Sequence, residues 1–440
     1  SADRGPGAGA RAAMRSPEHF IFVESNTTGT GALAVRRLLE RGDRVTFLAR
    51  EPDKYPFLAD PSPRLALIPL ETNEIETVAA RVEELRQEQG LDALLTFSEF
   101  YVPVVAEVAR RMGTRYLSPE AARTCRGKPA TRAALRAAGR STPKFRVMAS
   151  AEDARRAAAE ISFPCVVKPP ADSSSKGVLR VDGPEMLLEH FRRLHAWRVN
   201  DRGQELSGEV LLESLLTGPE VSVETVTLAH GETIVVGITA KHLSPPPLFV
   251  EVGHDFPALL AADEAARVEA EVRAALDAVG FDFGPAHTEV RLTPQGPVIV
   301  EINPRLAGGM IPELVRHATG IDLLEVFLEM LRGRLVDLTP VRADHAAIRF
   351  LLADQVGRLR GISGLEEARN LEAVREVWIG KRQGAAVRPA EEAADRVGYV
   401  IASGPSRPRV LGAVAGALEK IHLEIDPLEI DRLERERREF

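Results

Sequence analysis

The sequence predicts an α/β chain in three parts: an open parallel α/β domain first, an α+β body, and a small mixed α/β domain last. Three observations carry this. Short apolar runs at 20–23, 45–48, 66–69 and 93–97 alternate with helical periodicity at 32–39 and 74–88, the rhythm of a parallel sheet. Residues 221–238 and 286–303 alternate apolar and polar side chains about turns, the rhythm of antiparallel hairpins. Beyond residue 336, strand patterns at 346–352, 376–379 and 397–403 precede a helical pattern at 409–421.

Taken in order, residues 1–17 are rich in Gly, Ala, Arg and Pro without an apolar signal region, and are expected to be a disordered tail, with Met14 as a candidate start. The front domain then spans 18–118. Its first strand runs into Glu24-Ser-Asn-Thr-Thr-Gly-Thr-Gly31, a turn whose backbone N–H groups suit a carboxylate or phosphate and whose glycines equally serve tight-turn geometry. Glu99 follows the strand at 93–97, at the end of the sheet where such folds bind ligands. It is a candidate partner for a substrate amine or a helix N-terminal carboxylate.

The body spans 119–335, with a lid portion at about 145–215. Two short helices between Pro119 and about Ala138 carry Arg126, Lys128 and Arg132. A strand ends at Lys168, and Ala171-Asp-Ser-Ser-Ser-Lys-Gly-Val178 reads as a small-residue loop, either a cover for phosphate oxygens or a solvated connection. Residues 209–216 form another apolar run, containing Glu213, Ser214 and Leu216, and Glu220 opens the hairpin at 221–238. Glu251 and His254 are expected in a loop after a proline run, beside the site.

The hairpin at 286–309 carries the densest chemistry. Val290, Leu292, Val298, Val300 and Ile302 share one parity, and Glu289, Arg291, Glu301 and Asn303 the other. A loop of Pro294, Gln295 and Gly296 sets Glu289 across from Glu301. Opposed Cβ atoms lie roughly 4.5–5.5 Å apart, so two carboxylates there repel unless a cation lies between them. Carboxylate and amide oxygens suit a hard ion such as Mg²⁺, and an ordinary solvated polar face is the alternative. Pro312 and Asp322 begin two further helices, the second running to about Leu331. The last part spans 336–440 and closes on a charged run from Asp431, a solvated helix end or tail.

Composition bounds the function. Hydrophobic content of 44% and charged content of 28% are those of a globular protein with several cores. A net charge of −7 argues against a general nucleic-acid or membrane-surface binder, and no run approaches the roughly 20 apolar residues of a membrane helix. Two cysteines, Cys125 and Cys165, make no disulfide framework, which fits the cytoplasm.

Lys128, Lys168, the Ser173–Gly177 loop, Glu213, Glu220, Glu289 and Glu301-Ile-Asn303 followed by Arg305 occur in an order that resembles the ATP-grasp superfamily, over about residues 20–420. Within it the chain looks most like carboxylate–amine ligases, particularly L-amino acid α-ligases that make dipeptides. Those residues are Phe22–Gly31, Thr96-Phe-Ser-Glu99, Phe249–His254 and Asn303-Pro-Arg-Leu-Ala-Gly-Gly309. The resemblance implies an ATP-grasp fold behind an open parallel α/β domain, with ATP and two Mg²⁺ ions (Mn²⁺ as a substitute) as cofactors. It implies that Lys128, Lys168, Ser173, Ser174, Ser175, Lys176, Gly177, Glu213, Ser214, Leu216 and Glu220 hold the nucleotide, and that Glu289, Glu301 and Asn303 hold the metal. Arg305 with Gly308 and Gly309 would stabilise the charged intermediate, and Glu99, Glu251 and His254 would line the amino-acid pocket. Its partners are then small-molecule carboxylate and amine substrates, not nucleic acid or membrane, and a homodimer is the usual assembly. Three rivals remain: an enzyme like biotin carboxylase or those of purine biosynthesis, acting through carboxyphosphate, a nucleotide-binding module without catalysis, and, weakest, an NAD-dependent oxidoreductase using the Gly29/Gly31 turn.

Overall fold

The computed structural model describes residues 16–27, 29–59, 62–171 and 176–427. Residues 1–15 of the tail expected at 1–17, the loop serines Ser173, Ser174 and Ser175, and the charged ending from Asp431 lie outside the described residues.

The front sheet contains β1 (His19–Val23), β2 (Arg44–Ala49), β3 (Leu65–Pro69) and β4 (Ala93–Leu95), all parallel in the order β3-β2-β1-β4. β1 is apolar along its length because it is covered on both faces. Phe20 and Phe22 join a core with Ala34, Val35 and Leu38 that also takes in the helices Ile311–Thr319 and Leu323–Leu331. Ile21 and Val23 face the helices Ile75–Gln89 and Val102–Met112. β4 stops at Leu95, short of the expected Phe97, because the Thr96 hydroxyl donates to the Glu24 carbonyl at 3.2 Å and accepts from Ser98 N–H at 3.0 Å. That turn delivers Glu99 to the end of the sheet. At Gly31 a Cβ would lie 2.0 Å from Ser25 Oγ, so close packing of the turn accounts for this glycine.

The lid is a second sheet of β5 (Phe145–Met148), β6 (Cys165–Lys168), β7 (Leu179–Val181) and β8 (Val210–Ser214), antiparallel in the order β5-β8-β6-β7. It packs against the helices Ala151–Glu160 and Pro184–His195.

The remaining strands are β9 (Glu220–Thr227), β10 (Thr233–Leu243), β11 (Glu251–Phe256), β12 (Gly284–Thr293), β13 (Gly296–Asn303), β14 (His345–Leu351), β15 (Gly357–Ser363), β16 (Val374–Ile379), β17 (Ala386–Val387), β18 (Gly398–Gly404) and β19 (His422–Pro427). One eight-stranded sheet runs β13-β12-β9-β10-β11-β14-β18-β16, so three strands from beyond residue 336 continue the sheet of the body. β15, β17 and β19 form a separate small sheet.

Two expectations are corrected. The β12–β13 loop is Pro294–Gln295, with Thr293 already paired to Gly296, and a bulge between Glu289 and Val290 restores the Glu289–Glu301 pairing. The bulge shifts the parity: Ile299 is buried opposite Val290, while Val300 turns to line the pocket beside Glu301. Glu251 and His254 lie on strand β11 rather than in a loop. β11 is held on both sides, by β10 just before it and by β14 about 90 residues later, and the second contact leaves no local signature.

Candidate active site

The front sheet's edge, the lid and the β9–β13 face meet at a cavity of about 240 Å³. The face opens on a cross-strand row of charge: Lys241 on β10 pairs with Glu220 on β9, and Glu220 with Arg291 on β12. Lys241 Nζ lies 3.0 Å from Glu220, 2.8 Å from Glu251 and 2.6 Å from Glu289, a buried cation held by carboxylates of three other strands. Burial alone would drive its pKa down; the three carboxylates overcome that and hold it well above the ordinary lysine value. Glu251 is held well below the carboxylate range, since Lys241, His254 and Arg396 together outweigh its burial. Arg396, from the segment before β18, donates to the Glu251 carbonyl at 2.9 Å and to Glu251 Oε2 at 3.1 Å.

At the lid side, Glu213 is buried between Arg132 at 2.7 Å and Lys168 at 2.5 Å. Burial pushes the Glu213 carboxyl up, and Arg132 and Lys168 prevail to set it at about 2. Burial lowers the Lys168 pKa, with Glu213 opposing. Glu213's native pKa lies below the ordinary 4.5, so its stabilising contribution is complete above pH 4.5 and lost as pH falls toward about 2. Glu213→Gln will therefore be less stable than the parent at neutral pH and will show a flatter loss of stability between those values in acid titrations followed by circular dichroism.

Most expected residues converge here. Glu99, Lys128, Lys168, Lys176, Glu213, Ser214, Leu216, Glu220, Glu251, Glu289, Glu301, Asn303, Arg305, Gly308 and Gly309 all line the cavity. Gly177 adjoins the lid, where a Cβ would lie 2.8 Å from Leu194, and does not line the cavity. His254 is fully buried behind it, edge-on to Phe350, with Nε2 3.5 Å from Glu251; burial lowers its pKa. Gly309 has φ +58°, and a Cβ there would stand 2.6 Å from His254 Nε2, so this position is restricted to glycine by both backbone and space.

The metal-binding expectation rests on donor chemistry. Glu289, Glu301 and Asn303 present carboxylate and amide oxygens to one cavity, a set that fits a hard divalent cation completed by phosphate and water. In the structure Lys241 stands against Glu289, and Lys128 Nζ lies 2.8 Å from Glu301. No cluster of three or more His, Cys, Asp or Glu is arranged as a cation cage among the described residues.

The sequence reading passed over Lys241, His287 and Arg396 and gave Arg132 and Arg291 no role. His287 Nδ1 lies 2.8 Å from Glu224, and although burial opposes protonation, Glu224 and Glu289 raise it to about 9. The available signal was an imbalance: three glutamates on one polar sheet face require a buried cation, and Lys241 is the lysine on that face.

A model of the ATP-grasp domain matches residues 161–313, and one of L-amino acid ligase C-terminal domain 2 matches residues 349–426. The Sinorhizobium fredii protein y4rH is 32% identical over 414 residues, covering 93% of this chain and 83% of its own length. The chain belongs to the ATP-grasp superfamily of ATP-dependent ligases. This ATP-grasp chain is also 27% identical over 281 residues to alanine–anticapsin ligase of Bacillus amyloliquefaciens, spanning 60% of the chain and 59% of that ligase. The crystal structure of L-amino acid ligase from Bacillus licheniformis superposes on it with a TM-score of 0.78 at 24% identity, covering 94% of this chain and all of that one. That likeness shows the fold. No described helix of this ATP-grasp chain is long and apolar enough to cross a membrane.

Proposed function

We propose that the protein joins the carboxylate of one amino acid, or amino-acid-like acid, to the amine of another through an acyl phosphate, releasing ADP and phosphate. The observation that carries this reading is the convergence of Arg305, Gly308, Gly309 and the opposed pair Glu289/Glu301 on one cavity with Lys128 and Lys168.

A carboxylate is a poor acyl donor. Its oxygen attacks the γ-phosphorus of ATP, the bond to the β-phosphate oxygen breaks, and ADP leaves. The amine nitrogen then attacks the acyl carbon, a tetrahedral oxyanion forms and collapses, and phosphate departs while the nitrogen gives up its proton. Lys128 and Lys168 suit the phosphates as point charges, and the backbone from Glu213 to Leu216 at the cavity wall suits the adenine edge. Glu289, Glu301 and Asn303 would hold Mg²⁺, which supplies charge neutralisation between nucleotide and carboxylate. Arg305, whose pKa is raised by Glu99, Glu301 and Glu289 against burial, stays charged and faces the centre where the oxyanion develops. Lys241 and Arg396 fix Glu251 as an anion, suited to a substrate ammonium.

The test is phosphate release with ATP and Mg²⁺ across the twenty amino acids, singly and in pairs, with and without bicarbonate. Release that needs particular pairs, with a condensation product in the mass spectrum, is expected. Release that needs bicarbonate instead would move the reading to carboxyphosphate chemistry.

A further inference from the structure

Arg305 and Glu99 are 206 residues apart and come from different parts of the fold, the segment after β13 and the turn after β4. Their side chains meet at 2.8 Å, from Arg305 Nη2 to Glu99 Oε2, and both are largely withdrawn from solvent. The turn that carries Glu99 is fixed from several directions. Thr96 bonds the Glu24 carbonyl, Ser98 N–H bonds Thr96, and Tyr101 N–H bonds the Ser98 carbonyl at 3.0 Å. Gln204 of the lid donates to the neighbouring Phe100 carbonyl at 3.1 Å. Glu99 is thus an anion on a rigid mount.

Arg305 has rival attractions. Glu301 and Glu289, the carboxylates suited to the metal, line the same cavity as its guanidinium. A guanidinium on a flexible stem, in a cavity lined by six glutamates, turns toward whichever carboxylates are nearest unless another anion restrains it. Its other bond, Nη1 to the Leu306 carbonyl at 3.0 Å, is local and leaves the second nitrogen to be directed.

We propose that Glu99 is the positioning residue for Arg305: it holds the guanidinium off Glu289 and Glu301 and aimed at the reacting carboxyl, so that the metal-binding carboxylates stay available. This rests on the ligase reading above and names a residue that acts through Arg305 rather than on substrate. The front domain thereby takes part in the chemistry through a single ion pair.

The experiment compares the wild type with Glu99→Ala, Glu99→Gln and Glu99→Asp, using an amino-acid pair that the wild type condenses. Glu99→Ala should lose about 10- to 100-fold in kcat, the scale of a misplaced catalytic group. The KM for ATP and for each amino acid should stay within about twofold, the pattern of an interaction felt in the transition state. Mg²⁺ binding followed by calorimetry with ADP present should weaken severalfold in Glu99→Ala, and the Mg²⁺ concentration giving half-maximal rate should rise with it, because Arg305 then competes for Glu289 and Glu301. Glu99→Gln, which keeps an oxygen acceptor without the charge, should recover part of kcat, and Glu99→Asp should fall between the two. A raised KM for one amino acid with kcat intact would overturn the proposal and make Glu99 a direct amine contact. An unchanged Mg²⁺ dependence together with an unchanged kcat would also overturn it. Should Glu99→Ala fail to fold, the Gln variant's kcat and Mg²⁺ dependence decide the matter alone. A wild type inactive with every pair defeats the ligase reading itself, whatever the variants do.

Discussion

Arg305→Ala will bind ATP yet form product about 10²–10³-fold more slowly, the usual loss on removing one donor to a developing oxyanion. Arg305 bonds Glu99 and the Leu306 carbonyl, so its removal unpairs neither of the lysines suited to the phosphates, and the nucleotide should remain bound with near-parental affinity. The expectation is specific to the chemical step, and calorimetric ATP binding beside product formation separates the two. Wild-type turnover in this variant would remove Arg305 from the mechanism. Arg305→Lys should recover little, because an ammonium cannot reach Glu99 and the reacting centre with the planar fork of a guanidinium.

Lys241→Met will have the largest effect on stability. The ammonium is 2% exposed and serves Glu220, Glu251 and Glu289 at once. Removing one partner of a buried ion pair typically costs about 3–5 kcal/mol, because the remaining charges stay desolvated and uncompensated. Here three carboxylates would be left with Arg291 beside Glu220, His287 beside Glu289 and Arg396 beside Glu251 as their remaining cationic neighbours. Thermal unfolding should shift well below the parent, and the shift should shrink when Glu251→Gln is added, since one stranded charge is then gone. Equal losses in the single and double variants would show that the ammonium's charge is not what matters.

The parts of this protein that were legible in its sequence are those whose cause is local. The buried strand β1 reads as Phe20-Ile-Phe-Val because both of its faces are covered, and Asp322 announces its helix because its carboxylate accepts from Glu325 N–H at 3.1 Å. The facing of Glu289 and Glu301 was also legible, although it arises from a two-residue loop and a bulge rather than a three-residue loop. What escaped is set by pairing across long sequence separations. Glu251 and His254 looked like loop residues because they follow a proline run and because β14, one of the two strands that pair with β11, lies far ahead in the chain. Arg132 was placed on a helix without a role, yet it is 1% exposed and reaches Glu213 and the Val300 carbonyl. Lys241 carried no motif at all, and its meaning comes from three glutamates on three other strands.

The eight-stranded sheet has a further consequence. β14, β18 and β16 occupy one flank of β11, so the polypeptide after residue 336 supplies one of the two hydrogen-bonding neighbours of the strand that bears Glu251. A chain cut there would leave β11 as a raw border, its amides and carbonyls facing water and ready to recruit another molecule into a ladder, the usual start of aggregation. Arg396 would leave with the severed piece, taking the clamp on the Glu251 carbonyl. The final quarter of the polypeptide is thus the candidate site's outer wall, and the two cannot be engineered apart.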